Sequence, residues 1–143
     1  MAGAEQSVIV DVPPDVLFGV IADYEKYPEF LNDMAGARVI ESGDGFTVAE
    51  FTLNLIKTVR YTIRLTETPP ERVSWTLIES NLLKVNNGGW TLEALPGDRT
   101  RATYRLEVTI GRFVPKMISN RLTGKTLPAT LKAFKERAEG LDR

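Results

Sequence analysis

The chain has 143 residues, 43% hydrophobic and 26% charged, a composition typical of one ordinary globular domain that we assign to residues 1–143. It has no cysteine and no histidine. Disulfides, thiolate or imidazole metal sites, a cysteine nucleophile and a Ser-His-Asp triad are therefore excluded. Because the carboxylates are scattered along the chain, we expect no metal site and no cofactor.

The net charge of −1 conceals an asymmetry between the two ends of the chain. Residues 1–50 hold ten acids and two bases, whereas residues 112–143 hold eight bases and three acids. The basic end could contact an anionic membrane, RNA or a ribosome, or it could be a solvated helix face opposite acids elsewhere in the domain. The absence of a block of consecutive bases favours the solvated face, and no DNA partner is expected.

The longest nearly apolar run covers only residues 17–22, far short of the roughly twenty residues that a membrane span needs. The first six residues carry no basic region and no apolar stretch, so they do not read as a signal peptide. The sequence therefore predicts a cytoplasmic protein.

In chain order, residues 6–12 alternate as a first strand, and the Pro13-Pro14-Asp15 segment ends it and begins a helix. Pro28 ends this helix or opens a short second one. From Ala37 onward the apolar period becomes two. This period predicts six further strands, over residues 37–42, 46–55, 58–66, 72–77, 82–95 and 101–110.

Two features interrupt the later elements. Gly88-Gly89 lies inside the strand of residues 82–95, and we interpret it as a bulge or sharp bend. The C-terminal residues form two helical apolar stripes, separated by a break at Gly124, Thr126 and Pro128. The pattern predicts an α+β fold, in which a curved seven-stranded antiparallel sheet wraps around a long kinked C-terminal helix, with one or two short helices after the first strand.

Four segments resemble a known superfamily: YPEFL at 27–31, ARVIE at 37–41, LKVNNGGWTL at 83–92 and LPATL at 127–131. They are similar to the START-like helix-grip (SRPBCC) proteins, specifically the polyketide cyclase/dehydrase group near its coenzyme-Q-binding subgroup. The resemblance covers about residues 6–140. It implies a helix-grip fold with a cavity between the sheet and the C-terminal helix, and its members include carriers, cyclases and ribosome-associated toxins.

The candidate ligand-binding residues lie on the apolar face of the sheet, on the short second helix and on the C-terminal helix. They are Phe30, Phe51, Tyr61, Ile63, Trp75, Leu77, Trp90, Leu92, Tyr104, Leu106, Met117, Ile118, Arg121 and Leu122. This face either lines a lipophilic pocket or belongs to a filled core. No catalytic residue can be assigned. Glu79 falls on the same alternating positions as the apolar residues Trp75 and Leu77, but it lies near a strand end, where we expect it to contact water.

Three functions therefore remain open. The leading hypothesis is binding or transport of a hydrophobic small molecule such as a lipid, quinone or polyketide. The second is a polyketide cyclase or dehydratase, which would work mainly by holding a poly-carbonyl chain in a folded conformation. The third is a ribosome-associated interaction protein that depends on lysines 116, 125, 132 and 135. Arginines 60, 64, 101 and 105 form the wet face of the sheet, which we expect to be solvated.

Overall fold

The computed structural model describes residues 2–55, 57–111 and 127–141. These residues form seven strands, two α-helices and one 3-10 helix. In chain order they are β1 (Ala2–Val10), α1 (Pro14–Ile21), the 3-10 helix (Tyr24–Glu29), β2 (Met34–Gly43), β3 (Phe46–Asn54), β4 (Thr58–Thr68), β5 (Arg72–Ser80), β6 (Leu83–Leu95), β7 (Arg99–Ile110) and α2 (Leu127–Leu141). No helix in these ranges is long and apolar enough to cross a bilayer.

The seven strands form a single antiparallel sheet with the order β1-β7-β6-β5-β4-β3-β2. Strands β2 to β7 follow one another as a meander, and β1 joins the free edge of β7. One face of such a sheet is covered and the other contacts water, which produces the alternation seen in the sequence. The four arginines of the wet face are all exposed, as predicted. The expected α+β architecture is therefore confirmed.

The connection between β1 and β2 covers part of the sheet. Helix α1 has Pro14 in its first turn, where a missing backbone N–H costs nothing, and it buries Leu17, Phe18, Val20 and Ile21. The 3-10 helix follows and packs against β2. It contains Pro28 internally, so the short second helix expected around this proline is present.

Helix α2 completes the layer over the concave face and packs against β1 and α1. Two of its three bases pair with neighbouring groups: Arg137 donates to Glu29 at 2.7 Å, and Lys135 donates to Glu139 at 2.6 Å and to the Ile9 carbonyl at 2.8 Å. This pairing agrees with the interpretation of a helix whose bases face acids. The expected kink falls at Gly124 and Thr126, outside the described residues, and Pro128 lies in the first turn of α2 as described.

Of the two interpretations of Gly88-Gly89, a bulge or a sharp bend, the bulge is wrong for the pairing of β6 with β7. Strand β6 pairs with β7 without interruption through Gly88 and Gly89, and the register shift lies between Leu83 and Val85. Gly88 is required for a different reason. A Cβ atom there would clash with the Arg105 carbonyl and would lie 2.7 Å from Cζ2 of Trp75. The glycine therefore marks a close approach of three strands rather than a bulge.

Candidate functional site

A cavity of about 470 Å³ lies between the concave face of the sheet and the helices. Its described wall comes from strands β3 to β7, from the Tyr27–Met34 segment and from α2. Its volume falls within the roughly 300–1,000 Å³ that is usual for small-molecule sites. Among the described residues, the sheet and the helices thus border a space large enough for a small ligand.

Most of the predicted site residues lie on this wall. Phe30, Phe51, Tyr61, Ile63, Trp75, Trp90, Tyr104 and Leu106 line the cavity. Leu77 and Leu92 do not: Leu77 is half-buried beside the core, and Leu92 is buried within it. Both lie on the predicted apolar face but face neighbouring side chains instead of the cavity. Met117, Ile118, Arg121 and Leu122 lie outside the described residues.

Aromatic side chains form one part of the wall. Phe134 of α2 packs at centroid distances of 5.0 Å on Trp90, 5.1 Å on Phe30 and 5.3 Å on Tyr27. All three contacts are edge-to-face, which is a favoured geometry for aromatic pairs. This interlocked cluster joins α2, the 3-10 helix and the adjoining residues to β6, and it forms part of the cavity wall.

Aliphatic side chains form another part of the wall. Leu53, Leu55, Leu83 and Val108 line the cavity and belong to a second hydrophobic cluster, separate from the main core. Tyr61 and Leu106 also line the cavity, and both pack against the main core and the second cluster. The described wall therefore combines aromatic and aliphatic residues of the main core with aliphatic residues of the second cluster, and Tyr61 and Leu106 contact both clusters.

One buried hydrogen bond fixes a polar group in the wall. Nε1 of Trp75 donates to Oδ1 of Asn86 at 3.1 Å. Because an indole N–H can only donate, this bond sets the orientation of the Asn86 amide. Asn86 lines the cavity, and its NH₂ group has no hydrogen-bond partner among the described residues. The amide therefore offers donors on the cavity wall.

Two tyrosine hydroxyls add to this polarity. Neither Tyr61 nor Tyr104 donates a hydrogen bond to another described residue, although both line the cavity. Among the described residues, Thr109 Oγ1 is the sole fully buried side-chain oxygen or nitrogen without a hydrogen-bond partner. Because the hydroxyls of Tyr61 and Tyr104 also have no described partner, they are not fully buried. Burial raises the pKa of both groups, so both stay protonated at neutral pH.

The sequence contains four tyrosines, and the fold raises the pKa of all of them. Burial is the largest cause in each case. For Tyr24, burial acts together with the hydrogen bond that its hydroxyl donates to Glu67 at 2.6 Å. The folded state therefore binds these four protons more tightly than the unfolded chain does.

Alkaline unfolding is the expected result. The unfolded tyrosines lose protons near pH 10 while the folded ones do not, so the free energy of unfolding should fall above that pH. The slope should reach about 1.4 kcal/mol per pH unit for each tyrosine. Tyrosinate absorbance and circular dichroism should change together, and Tyr61→Phe with Tyr104→Phe should flatten the slope. Tyrosines that ionise near pH 10 in a chain that remains folded would contradict this expectation.

Charged groups are scarce on the described wall. It contains no lysine and no arginine, and its one carboxyl group is that of Asp33. Glu79 is exposed near the end of β5, as its position in the sequence predicted. Within the described ranges, no group of three or more acids could hold a metal ion. The described wall is therefore suited to a ligand that is largely apolar.

Sequence reasoning missed several wall residues for identifiable reasons. Tyr27 precedes Pro28 in a 3-10 helix, where neither of the two regular apolar periods applies. Phe134 belongs to the second of the two apolar stripes in the C-terminal residues, and it was not among the candidate site residues. Asn86 occupies an even-numbered position like Trp90 and Leu92, so the alternation places it on the same inward face of the strand. This inward position was the signal that could have identified it. A polar residue at an inward position of a strand is unusual enough to indicate a function.

The sequence is similar to known proteins along nearly its whole length. A model of the family described as polyketide cyclase / dehydrase and lipid transport matches residues 10–135. The Ribosome association toxin RatA of Vibrio cholerae serotype O1 is 23% identical over 142 residues, which cover 97% of this chain and 96% of that protein.

Solved structures share the fold at low sequence identity. The Zhui aromatase/cyclase from Streptomyces sp. R1128 superposes with a TM-score of 0.86 at 18% identity, covering 99% of this chain and 95% of that one. A START superfamily protein from Mycobacterium smegmatis superposes with a TM-score of 0.83 at 18% identity, covering 99% of both chains. These likenesses confirm the helix-grip fold that the sequence segments predicted.

Proposed function

The chain belongs to the family of polyketide cyclases, dehydrases and lipid-transport proteins, and from this membership we propose that it binds a hydrophobic small molecule in the cavity beneath α2. The observation that carries the proposal is the cavity itself. Protein interiors are close-packed and seldom contain voids much larger than a water molecule. A space of about 470 Å³ with a largely apolar wall therefore departs from ordinary core packing and has the size and lining of a small-molecule site.

Burial of apolar surface supplies the affinity in this proposal. Each Å² of ligand surface removed from water contributes about 25 cal/mol, before the cost of association is subtracted. The aromatic cluster around Phe134 is interlocked by contacts within the protein, so little ordering remains to be done on binding. Preorganisation of this kind increases the affinity of a site.

Tryptophan fluorescence is the direct test, because the sequence has two tryptophans and both line the cavity. A neutral lipophilic ligand should change the emission of Trp75 and Trp90 in a saturable manner. It should also stabilise the folded chain by about 2.7 kcal/mol at a concentration of one hundred times Kd. Absence of any response across quinones, fatty acids and aromatic polyketides would count against the proposal.

Catalysis receives less support from the described wall. A cyclase or dehydratase needs an acid or a base near the reacting carbons. The raised pKa values of Tyr61 and Tyr104 make these groups weak proton donors and leave no populated tyrosinate to act as a base at neutral pH, although the hydroxyls can donate hydrogen bonds. Asp33 is the one wall carboxyl in the described ranges. The geometry therefore favours holding a ligand over transforming it.

Ribosome association is a second candidate function, favoured by the full-length similarity to a toxin named for that property. Such a role would depend on surface bases. Lys135 and Arg137 are already paired, so Lys132, which is exposed, is the better probe on α2. If the protein acts on ribosomes, Lys132→Glu with Lys125→Glu should abolish salt-sensitive co-sedimentation with them while leaving the fluorescence titration unchanged.

A further inference from the structure

A trough runs across the strands on the outer face of the sheet, opposite the cavity. It has a volume of about 660 Å³, and in the described ranges it is bordered by five adjacent strands, β4 to β7 and β1. Neighbouring strands lie about 4.8 Å apart, so the trough is about 19 Å long. Its floor is the backbone of a row of paired residues whose other side faces the core: Ala4, Leu106, Gly88 and Trp75. The sheet therefore separates the trough from the cavity.

The two ends of the trough carry opposite charges. Glu5 of β1 and Glu107 of β7 border one end, and Arg64 of β4 borders the other. Arg105 of β7 lies between these ends. The remaining walls consist of short side chains that donate and accept hydrogen bonds, those of Thr66, Ser74, Thr76 and Asn87. A ligand in the trough therefore meets acids at one end, bases farther along and neutral polar groups beside them.

Arg105 differs from the other arginines of the sheet that face a glutamate. Three described strand pairs place an arginine directly opposite a glutamate on the neighbouring strand. Two of them form salt bridges, at 3.3 Å for Arg38–Glu50 and at 3.0 Å for Arg101–Glu93. The third pair is Arg105 opposite Glu5, and it forms none in the described ranges. Opposite position alone therefore does not decide where the Arg105 side chain goes.

Gly89 provides the space that Arg105 takes instead. It lies opposite Arg105 on β6, on the side away from Glu5, and it has no side chain. Nη2 of Arg105 lies 3.5 Å from the position that a Cβ atom of Gly89 would occupy. The guanidinium thus extends across β6 into the trough, where no described residue forms a hydrogen bond or an ion pair with it.

The two acids are likewise without an ion pair in the described ranges. Glu5 and Glu107 are diagonal neighbours on β1 and β7, about 7–8 Å apart. Arg64 is engaged on the opposite side, where its guanidinium lies 4.2 Å from the centroid of the Phe46 ring on β3. The groups that remain open to a ligand are therefore the Arg105 guanidinium and two carboxylates.

These groups match a ligand that carries both charges. A guanidinium presents a planar fork of donors that fits a carboxylate, and two nearby carboxylates attract an ammonium group. We propose that the trough binds a short zwitterion, with its carboxylate on Arg105 and its ammonium group between Glu5 and Glu107. The guanidinium lies over β6, two strand spacings from β1, so the charged ends of the ligand should be about 5–10 Å apart. A dipeptide or tripeptide with free ends has this length.

Triglycine is the probe, because its charged ends span up to about 9 Å and it is polar enough to stay out of an apolar cavity. N-acetyl-triglycine lacks the ammonium group, and triglycine amide lacks the carboxylate. Binding is followed by NMR at the backbone amides of Gly88 and Gly89 in the trough. The indole N–H of Trp90, which lies on the cavity side, is the internal control.

The variants are Arg105→Gln and Glu5→Gln, with Arg101→Gln as the matched control. Arg101 lies on the same strand and face and is exposed as Arg105 is, but it does not border the trough in the described ranges. All three substitutions are at exposed positions and should leave the Tm close to that of the wild type.

Triglycine should shift the two glycine amides saturably, with a Kd on the order of 1 mM, and leave the Trp90 indole unchanged. Each blocked peptide should bind about threefold to tenfold more weakly, the usual worth of one hydrogen-bonded contact. Arg105→Gln and Glu5→Gln should each weaken triglycine by a similar factor. Arg101→Gln should bind triglycine within a factor of two of the wild type.

Four results would contradict this proposal. No saturable shift up to about 50 mM triglycine would show that the trough is not a site. Equal affinity for N-acetyl-triglycine would remove the role of the two acids, and equal affinity for triglycine amide would remove that of Arg105. A loss in Arg101→Gln as large as in Arg105→Gln would mean that diffuse surface charge, and not the trough, attracts the peptide. None of these results bears on the binding of a hydrophobic molecule in the cavity.

Discussion

Leu106→Trp is expected to abolish ligand binding while leaving the protein as stable as the wild type, or more stable. Leu106 lines the cavity in the middle of β7 and is only half-buried. The larger indole can therefore extend into open space instead of displacing its neighbours. Filling an apolar cavity restores dispersion contacts that the empty space lacks. Thermal melting should show a Tm at or above that of the wild type, and calorimetric titration should show at least a hundredfold loss of affinity.

Leu92→Trp is the matched control for this substitution. Leu92 lies on the same predicted apolar face but is 5% exposed and packed within the core, away from the described cavity wall. Overpacking a filled site usually costs about 1–3 kcal/mol. Leu92→Trp should therefore lower the Tm where Leu106→Trp does not. Equal destabilisation by the two substitutions would mean that the space beside Leu106 is packed core.

Gly88→Ala should be among the most destabilising single substitutions in the described part of the sheet. The added Cβ would overlap the Arg105 carbonyl of β7 and lie 2.7 and 3.0 Å from two ring carbons of Trp75 on β5. Backbone on one side and a buried indole on the other both have to move. We expect a loss near the upper end of the roughly 1–3 kcal/mol typical of overpacking, measured by urea denaturation.

Gly19→Ala provides the contrast. Gly19 is an exposed residue inside α1, and a Cβ atom there would meet nothing within 4 Å. Alanine stabilises an exposed helix interior by roughly 0.5–1 kcal/mol relative to glycine. If Gly88→Ala were as harmless as Gly19→Ala, strands β5, β6 and β7 could not approach one another as closely as described.

Local pattern was sufficient to predict most of the fold. The alternation over β4 and β7 identified strands with one wet face, and Pro13-Pro14 marked the boundary between β1 and α1. These signals work because they depend on neighbouring residues in the chain. The bulge of β6 could not be located in this way, because its position depends on how Leu83 and Val85 pair with Ile110 and Thr109 at the far end of β7, which the local pattern does not specify.

The cavity wall was only partly predictable for the same reason. The alternation of apolar residues identified the face of the sheet on which Leu92 and Leu106 lie. It did not show which of these two side chains borders the cavity. That difference depends on where α2 and the Tyr27–Met34 segment cover the sheet. Asn86 was missed because an inward asparagine is understood only when its partner, the Trp75 indole, is seen beside it.

Native mass spectrometry of the chain purified from cells that naturally produce it tests the central claim most directly. The wild type should carry a noncovalent mass of a few hundred daltons per chain, and organic extraction should recover it as a lipophilic compound. Leu106→Trp, purified in the same way, should be found without this mass because the indole occupies its place. A wild type that carries nothing, or a variant that carries the same mass, would contradict the binding of a hydrophobic molecule in this cavity.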